Sequence, residues 1–169
     1  KLCYVSSISA LGMAEKGEMI DENAKWKTSR TNSGYSVSKY GGEREVWRGI
    51  EEGLNAVIVN PSVIIGAGCH PGAINKLFRN IKNYIPFYSA GVNGYVDVRD
   101  VARAMILLME SEIQGERFVL NCENIALRDF LTMAADILKV KPPSIALNKS
   151  VMSAPSRLRP FMTKFDLEP

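Results

Sequence analysis

The chain has 169 residues, 46% of them apolar and 23% charged, enough to bury one globular core. Basic residues exceed acidic ones by only 21 minus 18, with no long Lys/Arg cluster, so a nucleic-acid footprint is unsupported. Apolar runs such as Val101 to Met109, broken by Arg103, are far below membrane-spanning length, and no signal peptide is read. Cys3, Cys69 and Cys122 are odd in number and lack C-x-x-C spacing, which speaks against a disulfide framework or a zinc site. The expectation is a cytoplasmic protein that neither enters membranes nor binds nucleic acid.

The first element, Leu2 to Val5, reads as a buried strand, although the chain opens on it without a turn or an initiator Met. The sequence is therefore read as a cut one. Ser6 and Ser7 follow, then Ile8 to Gly12. A parallel strand that delivers small hydroxyls at its carboxyl end matches where open α/β sheets place ligands, so Ser7 is a candidate site residue. By itself it reads as a loop serine capping its own backbone. Residues 13 to 32 are polar and form a surface excursion, with Trp26 expected to pack it down.

Ser33 or Asn32 can cap a helix that carries Tyr35 and Lys39. At 3.6 residues per turn, positions i and i+4 share a face, so phenol and ammonium lie one above the other. A cation close to a phenol favours the phenolate, which allows acid/base work near neutrality. Chance alone yields Y-x-x-x-K about once in several hundred residues, so the pair needs company. Tyr40, Trp47, Ile50 and Leu54 mark the apolar stripe of this helix, and Gly53 offers its stop. Gly41-Gly42 inside a helix costs on the order of 1 kcal/mol per residue relative to alanine, which suggests a close neighbour.

Asn55 to Val59 reads as a second buried strand, making strand, helix, strand a βαβ unit and the sheet parallel. It exits through Asn60-Pro61-Ser62-Val63 toward Gly66 and Gly68, an abrupt break whose glycines permit close backbone approach to a ligand. Residues 72 to 83 suit a helix with Ile74, Leu77, Phe78 and Ile81 inward. Tyr84 to Tyr88, with Pro86, suits an edge strand, and Gly91 to Gly94 a turn. Tyr95 to Ala102 combines a brief strand with acidic caps for an apolar helix over 101–111, expected to be buried on most sides. Arg117 to Asn121 reads as a strand, Leu127 to Lys139 as an amphipathic helix, Ile145 to Leu147 as a small strand, and 148–169 as irregular. His70, the sole histidine, has no second ligand, so no metal residue is assigned.

In order, these pieces are a serine at a strand end, Y-x-x-x-K on the next helix, an Asn-Pro-Ser-Val strand exit and a V-D-V-x-D-V-A segment. Their combination resembles the extended short-chain dehydrogenase/reductase superfamily, the NAD-dependent epimerases and dehydratases, and most closely its dihydroflavonol reductase-like group. The resemblance implies an α/β fold: the C-terminal half of a doubly wound Rossmann-type parallel sheet with a small α+β substrate lobe. Residues 1–68 would form that half, 69–96 a lobe segment, 97–121 the return to the core, and 122–169 the rest of the lobe. It implies that Ser7 bonds the substrate oxygen, Tyr35 transfers the proton and Lys39 binds the nicotinamide ribose while favouring the phenolate. Pro61, Ser62 and Val63 would meet the nicotinamide of NAD or NADP, Asn60 would face the substrate, and Ser6 is the alternative serine, on the cofactor side. Ser7 has the family's spacing to Gly12.

The sequence departs from the family pattern in lacking G-x-x-G-x-x-G and the acidic strand that selects the ribose. These residues are accordingly read as the C-terminal part of a larger enzyme, inactive alone. Leu11 stands where sugar-nucleotide enzymes carry a tyrosine, and Asn93-Gly94 where they carry an arginine for diphosphate. An uncharged carbonyl or alcohol substrate follows. A nucleotide-sugar epimerase or dehydratase, and a catalytically silent redox-sensing module, are the competing readings. A homodimer through the Tyr35 helix would suit Gly41-Gly42.

Overall fold

The structure, a computed structural model, describes residues 1–12, 19–68, 72–84 and 86–147. Cys69, His70 and the tail over 148–169 lie outside the described residues, as do 13–18 of the excursion.

The central element is β2 (Ala56–Pro61), all six residues of which are buried. Its β-branched and small residues suit a strand covered on both faces, and it pairs in parallel on both sides. On one side lies β1 (Leu2–Val5), in register from Leu2↔Ala56 to Val5↔Val59. On the other lies β6 (Glu116–Leu120), in register from Val57↔Glu116 to Pro61↔Leu120. The expected βαβ unit is thus present. The expected end of this strand at Val59 is corrected: Asn60 and Pro61 continue it, because the ladder passes on through the Ser62 N–H, which bonds the Leu120 carbonyl at 3.0 Å.

Between β1 and β2 runs α1 (Gly34–Glu51). Ser33 is its cap, accepting from the Ser36 N–H at 3.1 Å, a bond worth about 1 kcal/mol. The helix gives way to Gly53 at φ 98°, in the left-handed region that glycine adopts without strain. Val46 is the buried point of its apolar stripe, packed with Ala56 and Ile58 against Tyr4, Trp47 and Ile50. Leu54 is exposed. The close neighbour expected at the glycine pair is found at one position. A Cβ on Gly42 would meet the Tyr4 hydroxyl at 2.5 Å, whereas Gly41 faces no described atom within 4 Å.

The segment after β2 holds a strand that the sequence did not signal, β3 (Val63–Ile65), paired in parallel with β5 (Val92–Asp97). The turn expected over Gly91 to Gly94 is therefore corrected: Val92 to Gly94 are extended. Gly94 is needed there because a Cβ would collide with the Asn121 side chain. β5 leads into α3 (Val98–Glu110), capped by Asp97, which accepts from the Arg99 N–H at 2.8 Å. The expectation that this helix is buried on most sides is also corrected. Val101 is buried, while Ile106 is 57% and Leu107 68% exposed, because one stripe alone meets β1, β2 and β3.

Five elements complete the described chain: α2 (Ala73–Lys82), β4 (Phe87–Ser89), β7 (Glu123–Ala126), a strand that the sequence did not signal, α4 (Leu127–Leu138) and β8 (Ile145–Leu147). β4 and β8 pair in parallel, and Phe78 of α2 meets Phe130 of α4 edge to face at 6.1 Å. Ile74, Leu77, Phe78 and Ile81 are the inward face of α2, as the spacing predicts. The described residues form two compact units, one drawn from 1–66 and 94–123 and the other from 67–93 and 124–147. The three-stranded sheet β1-β2-β6 belongs to the first.

Candidate active site

Parallel pairing brings the carboxyl ends of β1 and β2 side by side, and their registers place Ser6 next to Asn60. The chain leaves β1 through a turn of 3-10 helix, Ile8–Leu11, capped by the Ser7 side chain, which accepts from the Ser9 N–H at 3.2 Å. The self-capping reading of Ser7 is thus present, and its hydroxyl hydrogen is still free to be given elsewhere.

A pocket of about 340 Å³ opens here, walled by Ser6 to Ser9 from the exit of β1, by Tyr35 from the first turn of α1, and by Pro61 to Ile64 from the exit of β2. Six of the sequence-derived site residues therefore meet in one concavity: Ser6, Ser7, Tyr35, Pro61, Ser62 and Val63. Tyr35 is 57% exposed and Ser7 9%. The phenol is open to solvent exchange while the serine is fixed in the wall. The wall carries no charged side chain. Lys39, one turn beyond Tyr35, extends its ammonium to the Val5 carbonyl at 3.4 Å, at the carboxyl end of β1.

Asn60 does not line this pocket. It is fully buried behind it, donating through Nδ2 to the Ser7 carbonyl at 3.0 Å and to Glu43 Oε2 at 2.7 Å. Among the described residues its Oδ1 has no partner, nor does the buried Ser62 hydroxyl, which belongs to a residue of the pocket wall. An unsatisfied buried hydroxyl in the wall of a cavity is a ready contact for a polar group entering it. That one hydroxyl, able both to donate and to accept, fits the carboxamide of a ring entering the pocket. The volume accommodates such a ring and a reacting group, and falls short of a whole dinucleotide.

The sequence did not single out Glu43. It is 2% exposed and accepts from Ser6 Oγ at 2.5 Å, Asn60 Nδ2 at 2.7 Å, Arg117 Nη1 at 3.2 Å and Trp47 Nε1 at 3.3 Å. Arg117 also donates to the carbonyls of Glu22 and Ala24, both at 2.7 Å. With Trp26 stacked on Tyr40 at 4.4 Å, this holds the described part of the excursion down, as expected of Trp26. The signal available in the sequence was the spacing 35, 39, 43, one helix face carrying three polar groups. Among the described residues no cluster of His, Cys, Asp or Glu is placed to hold a metal ion, and no helix is long and apolar enough to cross a membrane.

The model of the NAD dependent epimerase/dehydratase family matches residues 1–121. The chain belongs to that family, a class of enzymes on the Rossmann-type α/β fold. Among its relatives is a putative dihydroflavonol 4-reductase of Synechocystis, 31% identical over 147 residues, which cover 83% of this chain and 43% of that protein. The crystal structure of gox2253 superimposes with a TM-score of 0.80 at 34% identity, over 99% of this chain and 52% of that one. The NAD complex of UDP-glucose 4-epimerase from Thermus thermophilus shares the fold, with a TM-score of 0.69 at 21% identity over 86% of this chain and 50% of that one. The chain spans about half the length of the relatives it matches.

Proposed function

We propose that the full-length protein is an NAD(P)-dependent reductase or dehydrogenase that interconverts an uncharged carbonyl compound and its alcohol. The observation that carries this reading is that Ser7, Tyr35 and the exit of β2 line one pocket, with Lys39 one helical turn beyond Tyr35 and its ammonium at the carboxyl end of β1. The nicotinamide supplies or takes the hydride when bound. Ser7 donates a hydrogen bond to the substrate oxygen, where negative charge develops. Tyr35 gives that oxygen its proton, so that C=O becomes CH–OH as the hydride arrives, and is reprotonated from solvent past its exposed edge. Lys39 contributes positive charge beside the resulting phenolate and a donor for ribose hydroxyls. Asn60, behind the wall, suits support of the Ser7 backbone better than direct substrate contact.

Replacing Tyr35 by Phe in the full-length protein is expected to lower turnover by about 10²–10⁴-fold, the usual worth of a general acid or base, with NAD(P)H affinity changed less than about threefold. Retained turnover would remove the phenol from the chemistry. The competing reading, a nucleotide-sugar epimerase or dehydratase, requires that UDP or a similar diphosphate protect the protein in thermal melts. The uncharged pocket wall and the absence of an arginine before Tyr95 favour the carbonyl reading.

A further inference from the structure

We infer that Glu43 is a positioning residue for this site, the point at which α1 is locked in height against the carboxyl ends of β1 and β2; the inference rests on the reading of Tyr35 and Ser7 given above. Its carboxylate is 2% exposed, and removing such a group from water is unfavourable unless directional partners replace the water. Four donors do so. They come from the end of β1 (Ser6, 2.5 Å), the end of β2 (Asn60, 2.7 Å), β6 (Arg117, 3.2 Å) and α1 itself (Trp47, 3.3 Å).

An apolar side chain at this position would fill the space and fix little, because dispersion is not directional. A carboxylate bonded at once to three strands cannot slide along the helix axis without breaking several bonds. Tyr35 and Lys39 stand eight and four residues earlier on the same helix, so locking Glu43 locks them. Asn60 carries the restraint further, since the amide that binds Glu43 also donates to the Ser7 carbonyl. One buried group thereby fixes both the phenol-bearing helix and the serine-bearing turn. Misplacement of reacting groups by about 1 Å can cost on the order of 100-fold in rate.

The test is Glu43→Gln in the full-length protein, close in shape and without charge, set beside Tyr35→Phe. Three quantities are read: kcat and KM for a carbonyl substrate, NAD(P)H affinity by fluorescence, and backbone hydrogen exchange over 6–10, 35–40 and β2. Positioning predicts a kcat at least tenfold lower, KM and cofactor affinity within about threefold, and protection lost over 6–10 and 35–40 but kept in β2. An unchanged kcat in Glu43→Gln, with Tyr35→Phe inactive, overturns the inference and leaves the functional reading standing. A fully active Tyr35→Phe defeats the functional reading, and exchange then decides the role of Glu43 alone: loss confined to the two segments supports it, and uniform or no loss overturns it. If Glu43→Gln does not fold, Trp47→Phe and Ser6→Ala, each removing one donor, are read by the same exchange pattern, with the same outcomes deciding.

Discussion

At the scale of single residues, the pocket separates two adjacent serines that sequence alone distinguishes only by their spacing to Gly12. Ser6 gives its hydroxyl hydrogen to Glu43, and Ser7 keeps its own for the pocket. Ser7→Ala is expected to lower kcat by about 10²–10³-fold, as loss of a donor to a developing oxyanion does, and to cost about 1 kcal/mol of stability with the lost cap to Ser9. Ser6→Ala is expected to cost about 1–3 kcal/mol in denaturant unfolding by leaving a buried carboxylate short of a donor. Tyr35 and Lys39 were legible as candidates because their i, i+4 spacing is local, and Ser7 because it follows a readable strand. Glu43 was not, because a glutamate on a polar helix reads as a solvated charge until the strands that bury it are known.

At the scale of elements, Asp97 shows how a short-range cap sets a pH dependence. The Arg99 guanidinium, at 2.9 and 2.7 Å, and then the Arg99 N–H, at 2.8 Å, hold its carboxyl at about 2, below the ordinary 3.8. The folded value is depressed, so the contribution is present above the unfolded value and is lost as pH falls from about 4 through about 2. Asp97→Asn is expected to flatten the acid limb of unfolding stability in that window, and an equally steep limb would contradict the assignment. In α1, Gly41→Ala is expected to raise stability by about 0.5–1 kcal/mol. Gly42→Ala is expected not to, because its methyl meets the Tyr4 hydroxyl. β3 escaped the sequence because its three apolar residues lie between a proline break and glycines that read as a loop, and β7 because it opens on the polar pair Glu123-Asn124. The exposure of Ile106 and Leu107 escaped it for another reason: apolar periodicity reports what can be buried, while the contacts of α3 decide what is.

At the scale of the molecule, the parallel order β1-β2-β6 is what makes a site at all, since it sets two strand exits and one helix start around the same space. That arrangement was readable from the βαβ spacing, and the pocket wall follows from it. The 169 residues contain no G-x-x-G-x-x-G, and they span 43% of the Synechocystis relative and 52% of gox2253. Taken alone they are expected to leave NAD(P)H fluorescence unchanged and to show no turnover, whereas the full-length protein shifts that fluorescence. Binding by the 169 residues alone would show that the pyrophosphate is held in some other way.

As proposed, one hydroxyl, one phenol and one ammonium, from the exit of β1 and the face of α1, act on a ring seated against the exit of β2. A crystal structure of the full-length protein with NADPH tests it most directly. The account predicts the nicotinamide against Pro61, Ser62 and Val63, with the Ser7 and Tyr35 oxygens both within hydrogen-bonding reach of one point beside its C4. A nicotinamide bound outside this pocket, or a Tyr35 hydroxyl turned away from it, would contradict the account.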